Sequence, residues 1–359
     1  MSTTPSLPRP GSLPQSSPLP RTGREVRLVS RPEGLPSAEN FAVVEVPLPR
    51  PGTDRVLVRN LFFRVSASLR MMISQGAAEV EGVPFPALSP GDTLAEEAVG
   101  EIVSAPPGSG LHPGDLVSHY LGWREYAAPT PAECRLLTTD LPDPVAHLGH
   151  GWTAYAALTR GVRIHPGDTV FVSAGGSAIG SMAGQIARLL GAGRVIGSTG
   201  SVGKAERLVH ELGYDAAVVR GTAVPLAEQL AAAAPEGIDV FLDSVGGEQL
   251  QAAQTAAREG ARFLLTGALS GQLAATGTGR TAPVELDSFQ ILLKRISIRG
   301  YSADDNPEAL PEWEQRFGDW LRSGEITFPL VRVAGLDRAV AALLDVVAGR
   351  HLGTVVVEL

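Results

Sequence analysis

Residues 169–184 read Thr169-Val-Phe-Val-Ser-Ala-Gly-Gly-Ser-Ala-Ile-Gly-Ser-Met-Ala-Gly184, and this stretch decides the fold. The apolar run at its start predicts a buried strand, the small residues after it predict a tight turn, and residues 182–190 have helical spacing. Gly175, Ser177 and Gly180 hold the positions of a G-x-G-x-x-G motif, with serine in the middle. A further strand over 194–199 completes the context that such a motif needs. We therefore predict a dinucleotide-binding turn; the alternative is a tight strand-to-helix turn that binds nothing.

The end of the second strand indicates which dinucleotide binds. A site for NAD usually has an acid about 20 residues beyond the glycines, where it accepts hydrogen bonds from the ribose. Here residues 196–201 read Ile-Gly-Ser-Thr-Gly-Ser without an acid, Lys204 follows, and Arg220 ends the next predicted strand. Neutral residues and cations suit a 2′-phosphate, which a carboxylate would repel. The pattern therefore predicts NADPH, unless Lys204 and Arg220 are only solvated surface charges.

Composition places the chain among ordinary globular proteins. Of its 359 residues, 44% are hydrophobic and 19% are charged, and the formal net charge is -8. The negative balance argues against nucleic acid as a partner, and no apolar run approaches the roughly 18 residues of a membrane span. Because the start of the chain has no charged stretch followed by an apolar core, we expect no secretory signal. Cys134 is the only cysteine, which excludes an internal disulfide and fits a cytoplasmic location.

The order of predicted elements divides the chain into a tail and two units. Residues 1–23 are rich in proline, serine and threonine, so we predict a disordered tail. Short strands dominate residues 24–148, strands and helices alternate over 149–324, and residues 325–359 are expected to return to the β-rich unit. The alternation predicts an α/β fold with a doubly wound parallel sheet. Its later strands are predicted at 194–199, 216–219, 238–243, 262–267 and 296–301, and its helices at 181–190, 203–211, 226–233, 248–258 and 313–323.

Several short runs, taken in order, resemble a known family. They are Asn60-Leu-Phe-Phe63, Gly122-Trp-Arg-Glu-Tyr126, Gly151-Trp-Thr-Ala-Tyr155, Ala178-Ile-Gly-Ser181, Gly184-Gln-Ile-Ala187, Glu211-Leu-Gly-Tyr-Asp215, Leu242-Asp-Ser-Val-Gly-Gly-Glu248 and Thr266-Gly-Ala-Leu-Ser270. No single run is specific, but their order and spacing over about residues 25–359 are similar to the medium-chain dehydrogenase/reductase superfamily. The branch that the chain resembles contains the zinc-independent prostaglandin reductases and plant double-bond reductases, also described as leukotriene hydroxydehydrogenase-like. The Gly-His-Glu motif and the several cysteines of the zinc-dependent branch are absent, so we expect no metal.

The resemblance implies both an architecture and a reaction. The architecture is a Rossmann sheet inserted in a β-rich GroES-like catalytic domain, with a homodimer as the expected assembly. The reaction is reduction of the C=C bond of an α,β-unsaturated carbonyl, a small-molecule substrate, by NADPH. Hydride reaches the β carbon and negative charge then builds on the carbonyl oxygen, so the site needs a hydrogen-bond donor there. Two other functions stay open: a quinone or alcohol oxidoreductase of the same fold, and a cofactor-binding sensor or scaffold without turnover.

Motif positions in the family carry the cofactor contacts over to this chain. The pyrophosphate would be faced by Ala178, Ile179, Gly180 and Ser181, and the 2′-phosphate would be held by Ser201, Lys204 and Arg220. The rest of the cofactor would be contacted by Thr153, Ser244, Val245, Gly267, Ala268, Leu269, Gly300, Tyr301 and His351. The alternatives are that Thr153 is a core residue and that Asp243, before Ser244, only caps a helix.

The chain departs from the family at positions expected near the substrate. Where relatives carry a tyrosine after a Gly-Ala-Ile-Ser run, this chain has Gln272, which can donate a hydrogen bond but cannot deliver a proton at neutral pH. Ser66 and Ser68 stand where relatives have an acid and an aromatic residue, and Phe62 lacks the hydroxyl of many relatives. The catalytic candidates are therefore Tyr120, Gln272 and Tyr301, with ordered water as a further proton source.

The expected substrate-binding residues lie mainly in the β-rich unit. They are Phe62, Ser68, Arg70, Trp123 and His150, with core or turn packing as the alternative for His150. Four cations could attract an anionic substrate such as a carboxylate or an acyl carrier thioester: Arg64, Arg70, Lys294 and Arg295. Solvated surface charge is the alternative for each of the four.

Overall fold

The computed structural model describes residues 19–50, 54–79, 86–137, 141–274 and 281–359. Most of the predicted tail, residues 1–18, lies outside this part of the chain. Thr22 and Gly23, which the sequence placed in the tail, instead open the first strand and pair with Pro47 and Val46. The strand begins earlier than predicted because backbone pairing, rather than apolar side chains, holds these two residues.

The N-terminal part of the chain is rich in strands, as predicted. Its elements are β1 (Thr22–Leu28), β2 (Phe41–Pro47), β3 (Leu57–Val65), α1 (Leu69–Met72), β4 (Ala98–Ser104), β5 (Leu116–His119), β6 (Tyr126–Ala127) and β7 (Arg135–Leu136). Strands β1 and β2 form a two-stranded antiparallel ribbon. The long strand β3 is buried along almost its whole length and pairs antiparallel with β4, so it forms the middle of a larger sheet.

The central part forms a six-stranded parallel sheet with helices between its strands. The elements are α2 (Gly151–Ala156), β8 (Thr169–Val172), α3 (Gly180–Leu189), β9 (Arg194–Thr199), α4 (Val202–Leu212), β10 (Ala216–Val219), α5 (Leu226–Ala233), β11 (Ile238–Asp243), α6 (Glu248–Ala256), β12 (Ala257–Leu265), α7 (Leu269–Gln272), α8 (Ser288–Lys294), β13 (Ser297–Gly300) and α9 (Ala309–Ser323). The strand order is β10-β9-β8-β11-β12-β13. Counted from β8 this is the order 3-2-1-4-5-6 of a doubly wound sheet, with the change of direction between β8 and β11.

The end of the chain returns to the β-rich unit. It contains β14 (Leu330–Ala334), α10 (Ala339–Val347) and β15 (Thr354–Glu358). The resulting seven-stranded sheet has the order β14-β15-β3-β4-β5-β7, with β6 paired to β3. β15 lies antiparallel to β3, which joins residues about 290 positions apart in one core, as between Val355 and Val65. The predicted fold class, a Rossmann sheet beside a separate β-rich unit, is confirmed.

Some predicted boundaries were accurate and others were wrong. The strands 194–199, 216–219 and 238–243 and the helix 226–233 agree with β9, β10, β11 and α5. β12, however, begins at Ala257 rather than at 262, and α6 ends at Ala256 rather than at 258. Exposed Arg258, Glu259 and Gly260 lie in an irregularity of the β11–β12 pairing, so their polarity hid the start of the strand. Among the residues that the structure describes, no helix is long and apolar enough to cross a membrane.

Candidate active site

The glycine-rich turn places its backbone where an anion could approach. Gly175 N donates to Ser198 O at 2.7 Å, and Gly180 N donates to Ser177 Oγ at 3.0 Å. A Cβ at Gly180 would overlap the Ala174 carbonyl oxygen and lie 2.7 Å from Gly175 Cα, so only glycine fits at this position. The turn is therefore held tightly at the start of α3.

The two residues before α3 carry backbone N–H groups that are available to bind a ligand. Within the described residues, no hydrogen bond takes up the N–H groups of Ala178 and Ile179. Ser181, predicted beside them, is completely buried, and its hydroxyl lies 3.4 Å from Ala178 O. N–H groups without a protein partner at a helix N-terminus are the donors that bind phosphate in such folds.

Tyr214 fixes the helix of this turn to the sheet. Its hydroxyl donates to Gly180 O at 2.6 Å, and its ring occupies the space beside Gly184 and Gly197. A Cβ at Gly197 would lie 2.8 Å from the Tyr214 ring. Tyr214 lies in the family run 211–215, but no role was predicted for it; Gly184 and Gly197, which lie against its ring, were the available signal.

The residues predicted for the 2′-phosphate lie together at the carboxyl ends of β9 and β10. Ser201 caps α4 by accepting from Lys204 N at 3.4 Å, and a Cβ at Gly200 would lie 3.4 Å from Arg220 Nη2. Burial, together with the neighbouring cations Arg220 and Arg207, lowers the pKa of Lys204. A cluster of cations that repel one another in this way would be stabilised by a bound dianion.

The segment between α10 and β15 closes over the same edge. Lys204 Nζ donates to Gly349 O, and Gly353 N donates to Gly176 O at 3.0 Å. His351 lies in this segment, with its Nε2 3.7 Å from Asp345 Oδ2. The β-rich unit therefore contributes a backbone cover to the turn that precedes α3, and His351 is carried by that cover.

The predicted residues after β11 and β12 are neighbours. Leu269 N donates to Ser244 O at 3.1 Å, and a Cβ at Gly267 would lie 2.9 Å from the same oxygen. Asp243 accepts from Val245 N at 2.8 Å, so it shapes the loop rather than serving as a free carboxylate. Burial raises the pKa of Asp243, against the effect of these N–H groups. Ser244, Val245, Gly267, Ala268 and Leu269 thus form one continuous edge of the sheet.

The three catalytic candidates lie on different elements. Tyr301 follows β13, packs beside Gly161 in the core of the parallel sheet, and donates to Asn306 Oδ1 at 3.0 Å. Tyr120 instead packs against the core of the β-rich unit, with its hydroxyl 3.9 Å from Met72 Sδ. Burial raises the pKa of both tyrosines, most strongly for Tyr120. Gln272 ends α7, at the edge formed by Leu269.

Two of the predicted substrate contacts are core residues. Trp123 has no exposed surface, and its ring centroid lies 5.0 Å from that of Phe63. Phe62 points to the opposite face of β3, is only 2% exposed, and lies beneath the guanidinium of Arg332 at 5.1 Å. The prediction that these two side chains line a cleft is corrected, because neither presents surface to a ligand in this conformation.

Arg70 is buried, contrary to the surface alternative. It lies in α1, is 1% exposed, and has no hydrogen-bond partner for Nε or Nη1 in the described part of the chain. Burial lowers its pKa. The hydroxyls of Ser66 and Ser68 contact each other just before the helix.

Lys294 and Arg295, the other two cations that could attract an anionic substrate, make surface contacts instead. Lys294 Nζ donates to Thr255 O at 2.8 Å, and Arg295 pairs with Glu259. Neither contact points to the edge of the sheet where the cofactor residues lie.

His150 and Thr153 lie where the two sheets meet. His150 precedes α2 and is half-buried, and Thr153 lies within the helix. The chain around His150 is held closely, because a Cβ at Gly149 would lie 2.9 Å from the Phe328 ring and one at Gly151 would overlap Trp313. His150 Nδ1 is buried without a hydrogen-bond partner among the described residues.

A buried ion-pair cluster, which was not predicted from the sequence, adjoins His150. Arg64 is 9% exposed and donates from Nη2 to Glu96 Oε1 at 2.8 Å and from Nη1 to Glu97 Oε2 at 2.9 Å. Nη1 also lies 3.3 Å from Leu148 O, two residues before His150. The alternative that Arg64 is a solvated surface charge is therefore wrong; the adjacent acids at the start of an apolar strand were the available signal.

Two further observations concern other kinds of site. In the described residues, no group of three or more His, Cys, Asp or Glu side chains is arranged to hold a metal ion. A cavity of about 290 Å³ is lined by residues of β1, β2, β6 and their neighbours, and its lining includes none of the predicted site residues.

Comparisons with known proteins agree with this geometry. A family model described as zinc-binding dehydrogenase matches residues 178–319, and one described as N-terminal domain of oxidoreductase matches residues 24–137. An NADP-dependent oxidoreductase of Bacillus subtilis (strain 168), YfmJ, is 32% identical over 334 residues, covering 92% of this chain and 96% of its own length. The NADP(+)-dependent 2-alkenal reductase of Nicotiana tabacum is 28% identical, over 94% of this chain and 97% of its own. The crystal structure of CurA from Vibrio vulnificus in complex with NADPH superposes with a TM-score of 0.81 at 29% identity, over 93% of this chain and 98% of that one.

Proposed function

The chain belongs to the medium-chain dehydrogenase/reductase superfamily, in its zinc-independent reductase branch, and from this premise we propose how its residues carry out the reaction. The protein is an NADPH-dependent oxidoreductase that reduces the C=C bond of an α,β-unsaturated carbonyl. When bound, NADPH supplies the hydride.

The cofactor assignment rests on the turn before α3 and on the two cations beside it, Lys204 and Arg220. The N–H groups of Ala178 and Ile179 have no partner in the described chain, and Lys204 and Arg220 lie beside Ser201. These groups fit the pyrophosphate and 2′-phosphate of NADPH. Gly180 and Ser181 keep the turn in place.

The remaining cofactor contacts follow from the edge of the sheet. The ribose and nicotinamide would be bordered by Ser244, Val245 and the segment 267–269. Gly300, Tyr301 and Thr153 would contact the cofactor from the interior of the protein. His351 would contact it from the segment between α10 and β15. At the substrate, Gln272 and Tyr120 would act as hydrogen-bond donors, and Ser68 would border its outer part. Arg70 is as deeply buried as Phe62 and Trp123, so no substrate contact is proposed for it. Tyr301 would serve through its backbone and ring, since its hydroxyl is engaged by Asn306.

An assay of substrate classes tests the proposed function. The purified protein is incubated with NADPH and, separately, with 2-alkenals, cyclic and open-chain enones, unsaturated thioesters, quinones and ketones, and NADPH absorbance and products are followed. We expect oxidation of NADPH with a saturated carbonyl product from at least one of the first three classes. Reduction of quinones or ketones alone would overturn C=C reduction, and silence with every class, beside an active relative, would favour the sensor or scaffold.

We also propose a homodimer and a cytoplasmic location. β13 is the outer strand of its sheet and is largely exposed, and the adjoining α8 exposes Phe289, Leu292 and Leu293 at 62%, 68% and 56%. An open strand beside exposed apolar side chains is a surface that a second copy could cover. Light scattering that gives only a monomer would contradict the dimer.

The division of the chain into two domains is likewise a proposal, supported by the two separate sheets. One domain would contain residues 24–148 and 325–359, and the other would contain residues 149–324.

A further inference from the structure

Near the junction of the two sheets, three buried polar atoms have no hydrogen-bond partner among the described residues. They are Arg64 Nε on β3, Glu96 Oε2 before β4, and His150 Nδ1 before α2. Arg64 links the other two, since its Nη2 pairs with Glu96 Oε1 at 2.8 Å and its Nη1 lies 3.3 Å from Leu148 O, two residues before His150. Folded proteins leave few buried polar groups unpaired, so these three are candidates for binding a polar ligand.

The electrostatics of the group favour an uncharged imidazole. Burial and the positive charge of Arg64 lower the pKa of His150 well below its ordinary value. The other titratable groups near Arg64 are Glu96, Glu97 and Tyr120. A neutral imidazole carries one N–H donor, and an adjacent buried cation strengthens its interaction with an oxygen that becomes negative.

We propose that the imidazole of His150, positioned by Arg64 and Glu96, donates a hydrogen bond to the carbonyl oxygen of the substrate. This rests on the proposed function. His150 lies one helical turn before Thr153, which that function places beside the nicotinamide. It would replace the tyrosine hydroxyls that this chain lacks at Phe62, Ser68 and Gln272.

The reaction balances without consuming His150. Hydride adds to the β carbon, the C=C electron pair becomes the bond between the α and carbonyl carbons, and the C=O pair moves to oxygen. His150 keeps its proton while holding this enolate oxygen. A proton from solvent then adds to the α carbon and restores the carbonyl.

Substitution at position 150 tests the donor directly. We expect His150→Ala to lower kcat about 100-fold, the usual effect of losing one such donor, with the Kd of NADPH unchanged within twofold. His150→Asn should recover part of kcat, because an amide can donate, whereas His150→Phe should not. His112→Asn, an exposed histidine on a turn, is the matched control and should keep wild-type kinetics. A kcat within threefold of wild type for His150→Ala would overturn the proposal.

Arg64 and Glu96 are positioning residues, and their test needs a separate readout. Arg64→Lys should lower kcat with little change in KM, and should raise the primary isotope effect from NADPH deuterated at the transferred position. A purely structural role would lower the active fraction and leave that isotope effect unchanged.

A binding measurement separates this proposal from the proposed function. Protein labelled with 15N-histidine and loaded with NADP⁺ is titrated with a saturated ketone, and His150→Ala assigns its signal. A shift of the His150 resonance is expected even if no substrate in the assay is reduced, in which case only the proposed function fails. Absence of that shift, in protein that binds NADP⁺, would overturn the carbonyl site itself.

Discussion

The two sheets form their halves of the proposed site by different means. At the edge of the parallel sheet, the groups proposed to face the cofactor are mostly backbone N–H groups in a turn that only glycine allows, as at Gly180. At the junction with the seven-stranded sheet, the groups are buried side chains such as Arg64, Glu96 and His150. A backbone site follows from local spacing, whereas a side-chain site depends on which surfaces meet.

The largest expected effect contrasts the two sheets directly. Gly180→Ala should destabilise the protein by about 3 kcal/mol and weaken NADPH binding more than 100-fold, because its Cβ would overlap backbone atoms of the turn. Gly100→Ala is the matched control in β4, where a Cβ would lie 2.7 Å from Arg59 O. It should cost comparable stability and leave the NADPH affinity of the folded protein intact. Calorimetry and thermal unfolding measure both; equal loss of affinity in the two variants would remove the distinction.

Lys204→Ala tests the side-chain part of the cofactor site. Removing a charged contact to a phosphate should weaken NADPH binding about 30-fold, or about 2 kcal/mol, and NADH binding far less. Lys294→Ala, which removes a lysine bound to Thr255 O, should change neither affinity. Fluorescence titration with the two cofactors gives the comparison, and equal effects on both would exclude a phosphate role for Lys204.

Glu314 joins the two regions and provides a pH-dependent test. It accepts from Arg135 at 2.7 Å and contacts His147 Nδ1 at 2.9 Å. Burial opposes its ionisation, but the hydrogen bond from His147 and the charge of Arg135 outweigh burial and lower the pKa of Glu314. A lowered pKa stabilises the fold above the ordinary carboxyl range, and that contribution is lost as the pH falls through the folded-state pKa.

Glu314→Gln should therefore lower the free energy of unfolding by about 1.5 kcal/mol at pH 7, and the difference should shrink below about pH 4. Glu228→Gln on the exposed face of α5 is the control and should have little effect at either pH. Denaturant unfolding between pH 3 and 8 measures the difference. A gap that stays constant over this range would show that ionised Glu314 does not stabilise the junction.

The smallest expected effect is at Tyr214. Tyr214→Phe removes the hydrogen bond to Gly180 O and should cost about 1 kcal/mol, with NADPH affinity changed less than threefold because the ring still fills the space between the glycines. Thermal unfolding and cofactor titration are the measurements. A large loss of affinity would show that the hydroxyl, rather than glycine packing, holds the turn.

Prediction from sequence succeeded where local pattern and burial agree. The bounds of β9, β10, β11 and α5 were correct, since apolar runs between turn residues mark each of them. β12 was misplaced because its first residues are exposed and polar. Short α8 was not predicted at all, because it leaves Phe289 and Leu292 exposed and so lacks an amphipathic pattern.

For the site, motif spacing correctly predicted that Ser201, Lys204 and Arg220 lie close together. It also predicted that Ser244 lies at the edge shared with Gly267 and Leu269. These residues follow consecutive parallel strands, whose carboxyl ends must share an edge. The side chains of the β-rich unit were another matter. Phe62 and Trp123 proved to be core residues, and Arg64 was buried with two glutamates.

By itself, the sequence determined the doubly wound sheet, its phosphate-binding turn and the preference for a phosphorylated cofactor, because these depend on glycine spacing and on charges near it along the chain. Only the tertiary structure decided which polar side chains are enclosed at the junction of the two sheets. Residues 64, 96 and 150 lie far apart in the chain, and nothing local shows that they meet. The return of β15 to β3 adds to this dependence, because it pairs Val356 with Arg64 across almost the whole length of the chain.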